Sequence, residues 1–521
     1  MMVRDKTVAV YTLGCKVNQQ ESQAILDEMR RRGWRSVGFD QPAALYIVNT
    51  CTVTQAADQK SRKMIRGAKK NNRQALLAVI GCYAESDGAA LREIEGIDLI
   101  LGNREKEGLP AWADEVWRRR WGQPGAEEAP GAGAELRAGG TGEAPGAVAE
   151  LGAGAGIAPG AVVELGAGAG DTPGFVAAPW VGAGAESGAG AAPTVKGLDR
   201  ARAGLKIQDG CRQFCSYCVI PYVRGEWRSL DEAAAVAQTE RLAAAGCREI
   251  VLLGIHLGAY GWETGRRDQL AGLLRLLLES YPGLRFRLGS LEPMEASPAL
   301  IGLLRDYPNA CKHLHLPLQS GQDRVLKAMN RPYGTADYRA KVAEIRREIP
   351  SIALTTDIMA GFPGETAAEF EAGLAFIAGM AFSRLHVFAY SRRPGTAAAA
   401  LPGQVPRAIK EERCRELAKL DADSRRRYGQ SWAGRRQWAL AEEEIAPGVW
   451  SGHCDNYLEA TFAIGAAQTA GPADQVVGGA AGDEAGGQAG RPAVRGSLFP
   501  ILLTGEPGAK AGSWAGILAP E

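Results

Sequence analysis

The sequence predicts an α/β protein in three parts: an N-terminal domain of βα units on a parallel sheet, a central partial (βα)6 barrel, and a small C-terminal β-barrel. Three observations predict it. The 521 residues accommodate about three domains at ~150 residues each. Short β-rich runs alternate with amphipathic stretches on both sides of a break in composition, the rhythm of a parallel sheet. Past about Arg425 the rhythm gives way to short strand-like runs such as RRQWALAEEE, YLEATFAI and SLFPILLTG.

Composition bounds the function. Hydrophobic residues make up 46% of the chain and charged residues 23%, with a formal net charge of +1, so any nucleic-acid contact must come from local patches rather than from the field of the whole molecule. No apolar run reaches the ~18 residues of a membrane span. MMVRDKTVAVYTLGC also lacks the apolar core of a signal peptide. The expectation is a cytoplasmic protein with no membrane partner. In a reducing compartment its ten cysteines point to metal ligands, catalytic groups or buried thiols rather than disulfides.

The N-terminal domain spans 3–122. Strand-like TVAVYTLGC (7–15), ALYIVNTC (44–51) and ALLAVIGC (75–82) each precede a helical stretch, and IDLILG (97–102) follows. Cys15, Cys51 and Cys82 each end one of these strands. Parallel strands bring their carboxyl ends to one edge, where ligands bind, so the three thiols are expected on one rim around a shared metal or cluster. A buried core thiol would explain one such cysteine but not the same placement three times.

A Gly/Ala/Pro-rich segment follows, 123–197. APGAVAELGAGAGI (144–157) and APGAVVELGAGAGD (158–171) are near-perfect repeats, too poor in large side chains to bury a core, and a disordered linker is expected. A similar stretch, 465–490, is read as an inserted loop in the C-terminal domain, 426–518.

The barrel domain, 198–425, restarts the rhythm with strand candidates GLKIQDG, EIVLLGI, RFRLGS, KHLHLPL, ALTTDIMAGF and RLHVFAY. The chain's five histidines, His256, His313, His315, His386 and His453, form no ligand spacing; His313 and His315 share one strand face and are expected to pack. Cys247, Cys311, Cys414 and Cys454 are expected to be structural thiols.

After the first barrel strand comes DGCRQFCSYCVIPYVRG, Asp209–Gly225. Cys211, Cys215 and Cys218 have the spacing C-x3-C-x2-C, with no fourth cysteine or histidine nearby for a zinc site. Thiolates hold iron–sulfur clusters, and three of them leave one iron of a [4Fe-4S] cubane open. With Tyr217 before the last cysteine, this loop resembles the signature of the radical S-adenosylmethionine superfamily, in which that iron binds S-adenosyl-L-methionine.

TLGCKVNQQES (12–22), NTCTVT (49–54) and GCYAE (81–85) are similar to the three cysteine motifs of the radical methylthiotransferase family. IPYVRGEWRS (220–229), LPLQSG (316–321) and DIMAGFPGET (357–366) are similar to its radical-SAM barrel, and DNYLEA (455–460) to its small TRAM-like, nucleic-acid-binding β-barrel. The resemblance covers nearly the whole chain except the two Gly/Ala-rich stretches. It implies two [4Fe-4S] clusters, one on Cys211, Cys215 and Cys218 and one on Cys15, Cys51 and Cys82. The first would reduce S-adenosyl-L-methionine to a 5′-deoxyadenosyl radical; the second would donate a sulfur methylated by another S-adenosyl-L-methionine. Gly254, Ser290, Glu292, Gln319 and Asp357, at or near strand ends, and Tyr217 are the candidates to hold S-adenosyl-L-methionine.

Gly14-Cys15-Lys16-Val17-Asn18-Gln19 is similar to the branch that methylthiolates N6-threonylcarbamoyladenosine beside the tRNA anticodon; branches acting on N6-isopentenyladenosine or on a ribosomal-protein aspartate are the alternatives. The threonylcarbamoyl group carries a carboxylate and a hydroxyl, so Lys16, Arg224 and Arg228 are candidate substrate contacts. The expected partners are the tRNA anticodon arm, an electron donor such as flavodoxin or ferredoxin, and a sulfur source. Two local features suit RNA. The stretch Lys60–Arg73 carries seven cations, and SRRRYGQSWAGRRQW (424–438) interleaves arginines with Tyr428, Trp432 and Trp438, which could stack on unpaired bases or fill the small barrel's core.

Overall fold

The computed structural model of the chain describes residues 5–121, 163–164, 201–464 and 496–519. The internal repeats, apart from Val163–Glu164, and the 465–490 stretch lie outside the described residues. Contacts divide the chain into two units. The first holds the N-terminal sheet. The second holds both later domains together with Gly14–Gln20 and Val53–Gln55.

In the first unit, β1 (Thr7–Thr12), β2 (Arg35–Ser36), β3 (Leu45–Thr50), β4 (Leu76–Gly81), β5 (Leu99–Leu101) and β6 (Val163–Glu164) form one sheet in the order β2-β1-β3-β4-β5-β6. Every pair is parallel. The edge strand β6 comes from the segment read as linker, where backbone pairing needs no large side chains. Each residue of β3 and β4 is buried, as happens when helices cover both faces. Tyr46, Val48, Leu77 and Val79 pack one face against Ile65 and Leu91. Leu45, Ile47, Leu76 and Ile80 pack the other against Ile25, Met29 and Leu109.

The second unit begins with β7 (Arg202–Lys206), β8 (Gln208–Asp209), β9 (Arg228–Ser229), β10 (Glu249–Leu253), β11 (Arg285–Leu288), β12 (His313–His315), β13 (Ala353–Ala360) and β14 (Arg384–Ala389). The parallel sheets β11-β10-β7 and β12-β13-β14 are joined by the parallel bridges Phe286–Ala310 and Ser290–His315. The result is the expected six-stranded partial barrel, with β8 and β9 as an antiparallel pair beside it. Leu252, Phe286, Leu314, Leu354 and Leu385 pack its outer face against helical residues such as Leu277, Leu304 and Ile345.

A helix, Arg407–Gln430, leads out of the barrel, so the boundary expected at Arg425 falls inside a helix that runs one turn further. Beyond it, β15 (Arg436–Leu440), β16 (Glu443–Ala446), β17 (Val449–His453), β18 (Glu459–Ala463), β19 (Leu498–Pro507) and β20 (Trp514–Leu518) form a sheet in the order β15-β19-β20-β18-β17-β16. An Ala439–Cys454 bridge also ties β15 to the end of β17, which curls the sheet. Trp432 lies in its core with Tyr428 packed against it, because residues four apart at a helix end share a face. Trp438 is 50% exposed. The basic–aromatic stretch therefore divides between core and surface.

Glu249, at the start of β10, is fully buried. Its carboxylate accepts from Arg285 Nε at 2.5 Å and from Arg287 Nε at 2.8 Å. Burial opposes its charge, but the two guanidinium groups outweigh this and hold its carboxyl well below the usual range. The same guanidinium groups donate to the carbonyls of Trp438, His453, Cys454 and Asp455 at 2.9–3.0 Å, so they fasten the C-terminal sheet to β11. Glu249→Gln leaves two cations buried without their anion. It is expected to lower the unfolding free energy by about 3–5 kcal/mol in chemical denaturation; a change below about 1 kcal/mol would show that the anion is dispensable.

Candidate active site

The cysteine loop leaves β8 through Gly210, which sits at φ 76°. A Cβ there would lie 1.8 Å from the Glu226 carbonyl oxygen, so only glycine lets the chain turn this close to the segment entering β9. The Cys211 N–H donates to the Gly225 carbonyl at 3.0 Å, the Cys218 N–H to the Cys215 carbonyl at 2.9 Å, and the Ser216 N–H to the Met329 carbonyl at 3.0 Å. Asp209 anchors the loop from below, with Lys206 at 2.6 Å, Arg224 at 3.0 Å and Arg228 at 3.4 Å. Arg224 is fully buried and its second nitrogen donates to Asn18 Oδ1 at 2.8 Å. Its guanidinium faces protein groups, whereas Arg228 and Lys16 are open to solvent in part or in full.

Two cations face the thiols. His256 Nδ1 lies 3.6 Å from Cys211 Sγ, and its Nε2 lies 2.6 Å from Glu295 Oε1. Burial works against its charge, yet the bonds to Cys211 and Glu295 outweigh it and push its pKa up to about 10. Arg331 donates to Cys215 Sγ at 3.4 Å and to the Tyr333 hydroxyl at 3.0 Å, and pairs with Glu292. Burial, followed by the neighbouring Cys215, pushes the Cys218 thiol up to about 12. Burial also raises Cys215, against the pull of Arg331. Such thiols give up their protons to a metal that replaces the lost charge, and the donor set fits an iron–sulfur cluster.

Of the expected cofactor residues, Tyr217 lies in this loop and Glu292 reaches it through Arg331, which donates to Cys215 Sγ. Gly254 follows β10, and a Cβ there would come within 2.9 Å of Leu257 Cα and 3.1 Å of Gln208 Cβ. Ser290 follows β11 and bridges to His315. Glu292 is held by Arg331, and burial raises its carboxyl. Gln319 follows β12 at φ 71°. Its Oε1 is buried without a hydrogen-bond partner among the described residues, an acceptor suited to a bound polar group. Tyr217 packs beside Val325, Met329 and Phe362. Asp357 lies inside β13 rather than at its end, 3.2 Å from His315 Nε2.

In the first unit, Cys51 directly follows β3 and Cys82 directly follows β4, whose carboxyl ends are adjacent, Thr50 beside Gly81. Gly81 makes the turn at φ 99°, where a Cβ would meet Asn49 Oδ1 at 2.5 Å. Asn103 Nδ2 donates to Cys82 Sγ at 3.6 Å, and Lys106 Nζ donates to Asn103 Oδ1 at 2.9 Å. Cys15, in the Gly14–Gln20 segment grouped with the second unit, comes three residues after β1 and is exposed. No three His, Cys, Asp or Glu side chains among the described residues close on one point as a single metal ion requires. A polynuclear cluster instead takes its thiolates at separate irons.

Sequence reasoning set His256 aside and missed Glu295 and Arg331. His256 stands two residues past Gly254 at a strand end, a usable signal. Arg331 is 116 residues from Cys215, and no local pattern connects them.

The sequence matches the family model "Uncharacterized protein family UPF0004" over residues 7–102 and "Radical SAM superfamily" over residues 205–377. It is similar to the threonylcarbamoyladenosine tRNA methylthiotransferase MtaB of Bacillus subtilis, with 33% identity over 88% of this chain and 90% of the relative. The protein of the same name from Aquifex aeolicus is 32% identical over 84% of this chain and 93% of its own. A tRNA-2-methylthio-N6-dimethylallyladenosine synthase of Moorella thermoacetica is 30% identical over 81% of this chain and 83% of its own.

Gly210→Ala combines left-handed strain with a clash and is expected to destabilise the protein by about 2 kcal/mol or more, and to lower the iron bound on reconstitution. Gly246→Ala, with φ 85° and nothing within 4 Å of its Cβ, supplies strain alone and is expected to cost about 1 kcal/mol with full iron content. Equal melting temperatures for the two variants would refute the close-approach account.

Proposed function

This chain belongs to the radical S-adenosylmethionine methylthiotransferase family, and from that premise we propose that it converts N6-threonylcarbamoyladenosine at position 37 of tRNA to its 2-methylthio form. The observation that carries this reading is the likeness to the Bacillus and Aquifex proteins over more than four-fifths of the chain. The Gly14–Gln19 motif, which places the exposed cation Lys16 directly after Cys15, supports it.

Bound at the two cysteine sets, [4Fe-4S] clusters and S-adenosyl-L-methionine supply a carbon radical able to take hydrogen from C2 of adenine, together with the sulfur that replaces it. The chain's own residues set the conditions. Cys211, Cys215 and Cys218 hold the first cluster; His256 and Arg331 orient two of these thiolates by hydrogen bonds. Gly254 gives a close approach along the β10 edge, and Ser290, Glu292 and Gln319 offer polar groups to S-adenosyl-L-methionine. Cys15, Cys51 and Cys82 hold the second cluster. Arg224 positions the cysteine loop through Asp209. An electron donor of the flavodoxin or ferredoxin class and a sulfur source complete the cycle.

For the anticodon arm, the face of Gln55–Ala68 and the residues after it offers Arg62, Lys63, Arg66 and Lys70 around a recess of about 460 Å³. Cations three and four apart on one helix face repel each other, and a phosphate backbone relieves that repulsion. Exposed Trp438, and the edge-to-face pair of Phe214 and Tyr222 beside the cysteine loop, offer stacking surfaces for bases.

The test uses the reconstituted full chain without oxygen. Replacing Cys211, Cys215 and Cys218 by Ala is expected to leave about four irons of about eight and to abolish 5′-deoxyadenosine release. Replacing Cys15, Cys51 and Cys82 should also leave about four while some release persists. Full iron content in either variant would refute the ligand assignment. Wild-type enzyme is then offered tRNA bearing threonylcarbamoyladenosine and tRNA bearing isopentenyladenosine. Mass spectrometry of the digested nucleosides should show methylthiolation of the first; methylthiolation of the second alone would move the chain to the isopentenyl branch.

A further inference from the structure

The inward faces of β12, β13 and β14 differ from their outward faces. Leu314, Leu354, Ile358, Leu385 and Val387 point outward into the core under the helices. The alternate residues are His313 and His315 on β12, Thr355 and Asp357 on β13, and Arg384 and His386 on β14. The register sets His315 beside Thr355, Thr355 beside Arg384, and Asp357 beside His386, so these six share one face. Strands of a parallel sheet are usually apolar on both faces, and packing gives no reason for five ionisable side chains on one of them.

These groups are connected. Thr355 Oγ1 lies 3.0 Å from His313 Nε2 and 2.9 Å from His315 Nδ1. His315 Nε2 is 3.2 Å from Asp357 Oδ1, and the rings of His315 and His386 meet edge to face at 5.3 Å. Tyr457, from the loop between β17 and β18, floors the amino-terminal end by stacking on His313 at 4.4 Å. Lys16 Nζ stands 5.7 Å from the Tyr457 ring. His313 and Thr355 are buried, whereas His315, Asp357, Arg384 and His386 remain partly open. Among the described residues neither Lys16 nor Arg384 forms an ion pair. Burial and the neighbouring His315 push His386 down to about 4, so it is a neutral hydrogen-bonding group at physiological pH.

We propose that this face, below the cysteine rim and above Tyr457, is the wall that receives the N6 substituent of the target adenine, with Arg384 and Lys16 binding its carboxylate and Asp357 accepting from its hydroxyl. The proposal rests on the threonylcarbamoyl reading above and supplies its recognition chemistry. Two cations without carboxylate partners, beside the neutral imidazole of His386, are the complement of an anion. Asp357, held by His315 on one oxygen, keeps the other for a donor. A greasy isopentenyl group would leave all of these desolvated and unpaired, which is the strongest form of discrimination a pocket offers. Asp357 passes on this account from the cofactor to the substrate, in keeping with its position inside β13.

The test compares full-length, reconstituted wild type with Arg384→Met, Arg384→Lys and Asp357→Asn. Affinity is measured for one tRNA with and without its threonylcarbamoyl group, with iron content and melting temperature as folding readouts. Wild type should prefer the modified tRNA by about 10–100-fold, the range of one charge-assisted hydrogen bond. Arg384→Met should erase most of that preference at unchanged iron content, Arg384→Lys should restore part of it, and Asp357→Asn should reduce it less than Arg384→Met does. If Arg384→Met keeps the full preference, or loses iron along with affinity, the wall assignment is overturned while the substrate reading stands. If wild type neither prefers nor methylthiolates the threonylcarbamoyl tRNA, the substrate reading fails and takes the wall with it.

Discussion

A strand that pairs in parallel with its predecessor must first be carried back to the same starting edge, and that return constrains both units of this protein. Every pairing in the N-terminal sheet is parallel, and so is every pairing in the partial barrel. The carboxyl ends therefore gather on one edge of each sheet, and the loops that leave them are the segments free to carry chemistry. Cys15, Cys51 and Cys82 follow β1, β3 and β4. The cysteine loop, Gly254, Ser290 and Gln319 follow β8, β10, β11 and β12. The apolar strand interiors, closed between helices in the first unit, could not have held these groups.

Two buried carboxylates turn this arrangement into a rigid one. Asp209 gathers Lys206, Arg224 and Arg228 just ahead of the cysteine loop, and Glu249 gathers Arg285 and Arg287 at the far end of the barrel. Each anion permits cations to be buried where they would otherwise be strongly disfavoured. The cations then use their remaining N–H groups elsewhere: Arg224 on Asn18, and Arg285 and Arg287 on carbonyls of the C-terminal sheet. The geometry around the thiols follows the same design. His256 and Arg331 each face a cysteine sulfur and are each backed by a carboxylate, Glu295 and Glu292. The backing fixes the direction in which the cation points without adding an uncompensated charge to the site.

Much of this was legible in the sequence because it is local. Short β-rich runs between amphipathic stretches, and a spacing of C-x3-C-x2-C, are set within a few residues of the chain. These features determine the βα order, the cysteine loop and the resemblance to the methylthiotransferases. The shared strand face of His313 and His315 was visible as well.

The tertiary structure decided what depends on register and on contacts between distant segments. Only the pairing of β12, β13 and β14 shows that His315, Asp357, Arg384 and His386 share one wall, since a slip of one residue would turn each strand's polar set outward. Only the packing at the end of Arg407–Gln430 separates buried Trp432 from exposed Trp438. The bond from Arg331 to Cys215 closes over 116 residues, and the burial of Arg224 follows from where Asp209 lies. The sequence by itself determined which residues could do chemistry and at which strand ends they stand. The fold decided which charges face one another, because Coulomb and hydrogen-bond energies depend on distances of a few ångströms that no spacing along the chain specifies.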